Sequence, residues 1–304
     1  MAFKNALKML ASRFGLIWAL LLYMLITGAL VASLSIPFAV PVVRAFRSAG
    51  VGKQIADFFG SVKGGDGVNV WFDRLYDIVQ TMKHSLLGNK WAAFWGGAGV
   101  VLVLIIGARF IFGLYEIPLT DVLEGAMSSN AHIGFAGRFV ARLGKSGKFV
   151  LCKMMYTVAF DTVTVLIVFG LFDLFNVQVL KYFAPFLIMA VYLVLLALRY
   201  SVIAMWAPAV AIGERGIFRA FGFSAKRTFR YKGSVFCSYL VAWTLIIAIN
   251  VPVGLFTFGA GLILTVPASL LFINLLNMTL YYGKNGKRYY TDASTVVTPP
   301  IADK

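Results

Sequence analysis

Charge is scarce in this sequence, and acid is scarcest of all. Of 304 residues 13% are charged, with 12 Asp or Glu against 28 Lys or Arg. A soluble domain carries roughly 25% charged residues. With 60% apolar residues and a mean hydropathy of +0.84, the chain would expose more apolar surface than water tolerates. A soluble enzyme and a disordered tail are excluded. So is a disulfide-stapled module, because there are only two cysteines. Cys152 and Cys237 each lie just inside an apolar run, outside any CxxC or Cys/His cluster, and read as small apolar residues. The two histidines, His84 and His132, are isolated in loops, with no HExxH. GKSGK at Gly144 and GKNGK at Gly283 lack the spacing of a phosphate-binding loop, and neither GxSxG nor GxGxxG occurs. No nucleophile or acid pair is assembled at a membrane face. The chain therefore reads as non-enzymatic, with no metal site and no cofactor.

What the sequence has is long apolar runs. A helix needs roughly 20 apolar residues to cross the hydrocarbon. Six runs qualify, at about 14–43, 91–114, 149–175, 182–212, 234–256 and 261–282. The expected fold is all-α, a polytopic protein with six transmembrane helices in one integral domain over 1–282. A polar cytoplasmic tail follows over 283–304. With the N-terminus inside, the inner segments hold 17 bases and the outer ones 8. The positive-inside rule then places both termini in the cytoplasm. The segment after the fourth run, from Arg215 to Lys232, carries most of that asymmetry. Val31-Ala32-Ser33 loosely resembles a signal cleavage site, but the run continues apolar past it and exceeds a signal core. The first run is read as an uncleaved helix.

The outer segment 44–90 is too long for a bare connection. Phe72, Leu75, Tyr76, Val79, Met82 and Leu86 recur at helical steps, and a shorter stretch covers Val51 to Val62. Gly64-Gly65-Asp66-Gly67 separates them. Two helices are expected there, either lying on the outer leaflet or capping the bundle, or else forming a docking surface for a partner.

A formal charge of +16 would suggest nucleic acid in a soluble protein. Here the bases flank apolar runs, and no RNA-binding motif or helix-turn-helix lies between them, so no nucleic-acid partner is expected. The stretch Gly216 to Gly233, GIFRAFGFSAKRTFRYKG, places Ile217, Phe218, Phe221, Ala225 and Phe229 on one helical face. Arg215, Arg219, Lys226 and Arg230 gather on another, with Arg227 nearby. That is the pattern of a helix lying in the headgroup region, with these bases as candidate ligands for anionic lipid. Before the third run Phe135, Phe139 and Leu143 oppose Arg138, Arg142 and Lys145, a second candidate headgroup site. Before the first, Phe3, Leu7, Leu10 and Phe14 oppose Lys4 and Lys8. Surface helix plus membrane hairpin thus recurs three times. One reading is a threefold repeat; the other is that positive-inside charge alone puts a basic segment before every outward-going helix.

Arg109, Lys153, Asp161, Asp173 and Arg199 fall within the runs. An intramembrane charge costs at least about 2.5–3.5 kcal/mol, so each needs an account. Arg109 and Lys153 lie within reach of the cytoplasmic surface and Asp173 lies near the outer end. Asp161 sits roughly 18 Å into the third helix. Arg199 on the fourth is its best-placed partner, and Lys153, two turns away, is a weaker one. Two roles stay open for Asp161, Arg199 and Lys153: an interhelical ion pair that fixes the bundle, or a pathway for protons or substrate.

From Arg199 to Tyr239 an apolar span ends in Glu214. Gly216, Ala220, Phe221 and Ser224 follow in a G-x-x-x-A-F-x-x-S pattern, and Lys232-Gly233 leads into the next helix. This segment resembles a class of uncharacterised bacterial six-helix membrane proteins. That class is similar to the membrane domain fused to some glycerophosphodiester phosphodiesterases. The resemblance implies a bacterial inner-membrane protein. No phosphodiesterase barrel accompanies the segment here, so that activity is not implied. The sequence reading is thus a non-enzymatic membrane partner or accessory subunit that contacts the bilayer and anionic headgroups through basic helices. The alternative is a small-solute transporter using Asp161 and Arg199.

Overall fold

In lipid every backbone N–H and C=O must find a partner within the protein, and a long apolar run supplies its own partners by forming a helix. The computed structural model describes residues 2–129, 134–174, 184–213, 215–292 and 294–299. His132, Lys181 and Glu214 lie outside these residues, as do the side chains of Phe72 and Asp173. Helix accounts for 86% of the structure. Among the described residues six helical stretches are long and apolar enough to cross a membrane: Gly15–Ser48, Lys90–Ser129, Phe135–Leu171, Phe186–Ala211, Lys232–Phe256 and Leu262–Lys284. The chain is an all-α polytopic membrane protein.

The helices fall into two compact units. The first comprises residues 1–25 and 112–304. It holds α1 (Ala2–Ser12), the start of α2 (Gly15–Ser48), α7 (Glu116–Ser129) and α8 (Phe135–Leu174). It continues with α9 (Ala184–Ile203), α10 (Trp206–Ala211), α11 (Ile217–Arg230), α12 (Lys232–Phe256) and α13 (Leu262–Lys284). The centre is α13: half of its apolar window is buried, against 28% or less in the other five spans. Leu271 and Leu275 of α13 are fully buried, as are Leu119, Leu123 and Met127 of α7, and Phe149 of α8 is nearly so. The Phe3 ring of α1 meets Phe272 edge-on at 5.4 Å.

One expectation is corrected here. The basic segment from Arg138 to Lys145 is not a separate surface helix, because α8 runs unbroken through it for 40 residues. Gly144 and Gly147 lower helix propensity by about 1 kcal/mol each. Burial of Ser146, Phe149 and Val150 in the packing of α7 on α8 overrides that preference. At 1.5 Å per residue α8 is about 60 Å long, roughly twice the hydrocarbon thickness, so part of it projects beyond the bilayer. Only the first and third of the three supposed repeat units open with a helix of their own, α1 and α11.

The α12–α13 turn needs glycine. Gly259 has φ +86°, and a Cβ on Gly261 would lie 2.3 Å from Val253 Cγ1 and 3.0 Å from Thr257 Oγ1. Gly261→Ala is expected to destabilise the hairpin by about 1–3 kcal/mol through overpacking. A lowered midpoint in thermal unfolding of the detergent-solubilised protein would show it.

After α13 the chain, expected as a polar tail, folds back as a two-stranded hairpin. β1 (Tyr289–Tyr290) pairs antiparallel with β2 (Val296–Val297). Tyr289 is buried and its hydroxyl accepts a hydrogen bond from Asn5 Nδ2 at 2.7 Å. Ser12 Oγ donates to the Thr291 carbonyl at 3.1 Å, and Lys8 Nζ lies 2.8 Å from Asp292 Oδ2. Lys8, then the backbone N–H groups of Ser294 and Thr295, hold the Asp292 carboxyl well below its ordinary value of 3.8. A depressed folded-state pKa contributes stability above the unfolded value, and that contribution is lost as pH falls. The hairpin is therefore expected to stay docked from neutral pH to about pH 4 and to loosen in stronger acid. Proteolysis of the C-terminal segment as a function of pH measures this.

The second unit spans residues 26–111. It holds the rest of α2, then α3 (Val51–Lys63), α4 (Val68–Gly88), α5 (Lys90–Gly99), a π-helical stretch (Val100–Ala108) and the start of α6 (Arg109–Gly113). The two helices expected between the first and second spans are α3 and α4. They pair through Gln54 Nε2 donating to Thr81 Oγ1 at 3.1 Å and Arg74 Nη1 donating to the Asp57 carbonyl at 2.6 Å. Leu75, Tyr76 and Val79 of the expected apolar stripe stay exposed. Gly99 permits a close approach, since a Cβ there would lie 2.7 Å from Phe38 Cβ.

Candidate functional site

The fourth span breaks between α9 and α10, and α11 repairs the break. A helix that ends leaves backbone groups without intrahelical partners, and burying them unpaired is costly. Ser224 Oγ accepts from the Met205 N–H at 3.1 Å and donates to the Val202 carbonyl at 2.8 Å. Thr228 Oγ1 donates to the Ser201 carbonyl at 2.7 Å. Ala220, Ser224 and Thr228, four residues apart, form the buried stripe of α11. Phe221 packs on Trp206 with ring centroids 4.7 Å apart. The A-F-x-x-S pattern thus has a local physical role.

The packed face of α11 is this small polar stripe, which the periodicity did not single out. Phe218 and Phe229 remain 75% and 68% exposed. At about 100° per residue they share an outward edge flanked by Arg219, Lys226 and Arg230, all three exposed. Arg215 lies over the Phe223 ring at 4.0 Å, and Arg227 Nη1 donates to the Lys284 carbonyl at 3.4 Å. Of the bases on α8, Arg142 and Arg138 face Asp121 of α7 at 2.9 and 3.5 Å. Their charge is therefore partly answered inside the protein. Lys145 also lies on α8.

Among the charges within the spans, Arg199 Nη1 lies 3.1 Å from Asp161 Oδ1, linking α9 to α8. The Tyr156 hydroxyl donates to the Arg199 carbonyl at 3.3 Å. Lys153 does not join them. Its ammonium pairs with the Glu116 carboxylate at the start of α7, where sequence reasoning had it reaching for the surface or for Asp161. Arg109 opens α6.

The Glu116–Lys153 pair opens on a cavity of about 610 Å³ between α7, α8, α9, α12 and α13. The polar part of its wall is Tyr115, Glu116, Lys153, Asn274 and Asn277; Asn250 and Ser269 line it further along. The Tyr239 hydroxyl donates to Asn277 Oδ1. Asn274 Nδ2 donates to the Leu270 carbonyl at 2.8 Å and to the Tyr115 hydroxyl at 3.4 Å. Asn250 Nδ2 donates to Ser269 Oγ at 3.0 Å and its Oδ1 accepts from Thr265 Oγ1 at 2.7 Å. Val251, Leu255, Leu262 and Val266 form the opposite, apolar limb. Neither Asp161 nor Arg199 is among the described residues that line it. No three His, Cys, Asp or Glu side chains gather as a metal site among the described residues.

Glu116 escaped sequence reasoning because it follows the apolar run that ends near residue 114 and stands 37 residues from its partner. An acid directly after a span, with a lysine early in the next, was the available signal. No family model matches the chain, and comparison with curated proteins and with solved structures returns no match.

Proposed function

We propose that this multi-pass membrane protein is a non-catalytic accessory subunit of the bacterial cytoplasmic membrane, with both termini cytoplasmic. In this reading it grips anionic headgroups through α11. The observation that carries the reading is the outward edge of α11, where Phe218 and Phe229 stand exposed beside Arg219, Lys226 and Arg230. Exposed aromatics next to bases describe a helix seated at the headgroup boundary. The aromatics enter the acyl region and each base gains about 1 kcal/mol from an anionic leaflet. The docked inner stripe of Ser224 and Thr228 holds that edge at a fixed angle to the bundle. The transporter reading draws no support from the cavity, whose described wall omits Asp161 and Arg199. Their mutual contact is what an interhelical tie requires.

The test is lipid enrichment around the protein extracted in native nanodiscs. Wild type is expected to carry more phosphatidylglycerol and cardiolipin than the surrounding membrane. Replacing Arg219, Lys226 and Arg230 by Gln should weaken that preference by about fivefold per base. Equal lipid composition around wild type and variant would overturn the reading.

A further inference from the structure

The cavity is a built site that the headgroup contact leaves unused. Its volume of about 610 Å³ lies within the range of roughly 300–1,000 Å³ typical of small-molecule sites. It is elongated: the wall runs along α13 from Asn277 to Leu262, which at 1.5 Å per residue is about 22 Å. The charged pair and two amides lie at one end, while Asn250 and Ser269 further along are hydrogen-bonded to each other. At the charged end the Glu116 carboxylate and Lys153 ammonium already neutralise one another, so an anionic head would face Glu116 and a cationic head would face Lys153. Two amide groups at the same end are unfilled. No described protein group donates to Asn274 Oδ1 or accepts from Asn277 Nδ2. The occupant's head must therefore both donate and accept hydrogen bonds while carrying no net charge. Its remainder must be apolar and thin enough to lie between Val251, Leu255, Leu262 and Val266.

We infer that this cavity binds a single-chain membrane amphiphile with a net-neutral polar head. The head sits on Glu116, Lys153, Asn274 and Asn277, and the chain lies along the α12–α13 groove. A zwitterionic head satisfies the floor by placing its cation on Glu116 and its anion on Lys153. An uncharged hydroxylated head does so through the amides alone. The inference is independent of the surface contact of α11, which selects anionic rather than net-neutral heads.

Native mass spectrometry of the purified full chain tests it. Lysophosphatidylethanolamine, monoacylglycerol and lysophosphatidylglycerol of equal chain length are offered separately. The zwitterionic or the uncharged lipid is expected to give a one-to-one adduct, and which of them binds more tightly identifies the head. Lysophosphatidylglycerol should bind about tenfold or more weakly, because its phosphate can engage Lys153 only by leaving Glu116 without a cation. Val266→Trp, which fills the apolar limb, should abolish the adduct without changing the oligomeric state. Equal or tighter binding of lysophosphatidylglycerol to wild type would overturn the inference. So would full retention of the adduct by folded Val266→Trp. The wild-type comparison alone decides the matter if that variant does not fold.

Discussion

Glu116→Ala is expected to destabilise the protein by about 3–5 kcal/mol, measured by unfolding in detergent. The change leaves the Lys153 ammonium in the bundle without its carboxylate, and breaking one side of a buried pair costs more than the pair contributes. Both side chains are less than one-fifth exposed, so water screens little of the effect. The double change Glu116→Gln with Lys153→Met removes both charges at similar volume. It should recover most of the lost stability, since a buried pair replaced by uncharged groups is often neutral. A double-mutant cycle separates the coupling from the cost of each truncation. If Glu116→Ala unfolds within about 1 kcal/mol of wild type, the pair is not the tie between α7 and α8 described here.

Ser224→Ala is the second large effect, expected at about 2–4 kcal/mol. One hydroxyl serves both the Met205 N–H and the Val202 carbonyl. Its loss strands two buried backbone groups at about 1–3 kcal/mol each. Ser224→Thr keeps the hydroxyl and should retain more stability than the alanine. The effect should be local as well as global. Hydrogen exchange at Ala204, Met205 and Trp206 should accelerate in Ser224→Ala before the rest of α9 responds. Unchanged exchange at the break would mean that α11 is not what closes it.

The membrane spans were legible because lipid demands length and apolarity, and both are written as runs. The pair α3 and α4 was legible from three- and four-residue spacing. What escaped was decided by packing. Ile117, Leu119, Thr120, Asp121, Val122 and Leu123 of α7 are all buried, so the helix has no polar face and shows no amphipathic period. Its acids then become partners at a distance, Glu116 for Lys153 and Asp121 for Arg142. In α11 the periodicity located the helix and its aromatic face and carried no signal for the stripe that docks. Small residues, Ala220, Ser224 and Thr228, allow close approach, and the two hydroxyls satisfy a broken backbone, a role that leaves no hydrophobic period to read. The unbroken α8 has the same origin, because tertiary burial at Ser146 and Phe149 outweighs two glycines. In the candidate site Lys153 could be named from its position within a span. Glu116, Asn274 and Asn277 could be joined to it only in three dimensions.

The central claim is that α11 lies on an anionic leaflet. Hydrogen–deuterium exchange of the reconstituted protein tests it most directly, comparing nanodiscs of phosphatidylglycerol with nanodiscs of phosphatidylcholine. Residues Ile217–Arg230 are expected to exchange more slowly in phosphatidylglycerol, and the difference should vanish when Arg219, Lys226 and Arg230 are replaced by Gln. Identical exchange of α11 in the two lipids would contradict the account.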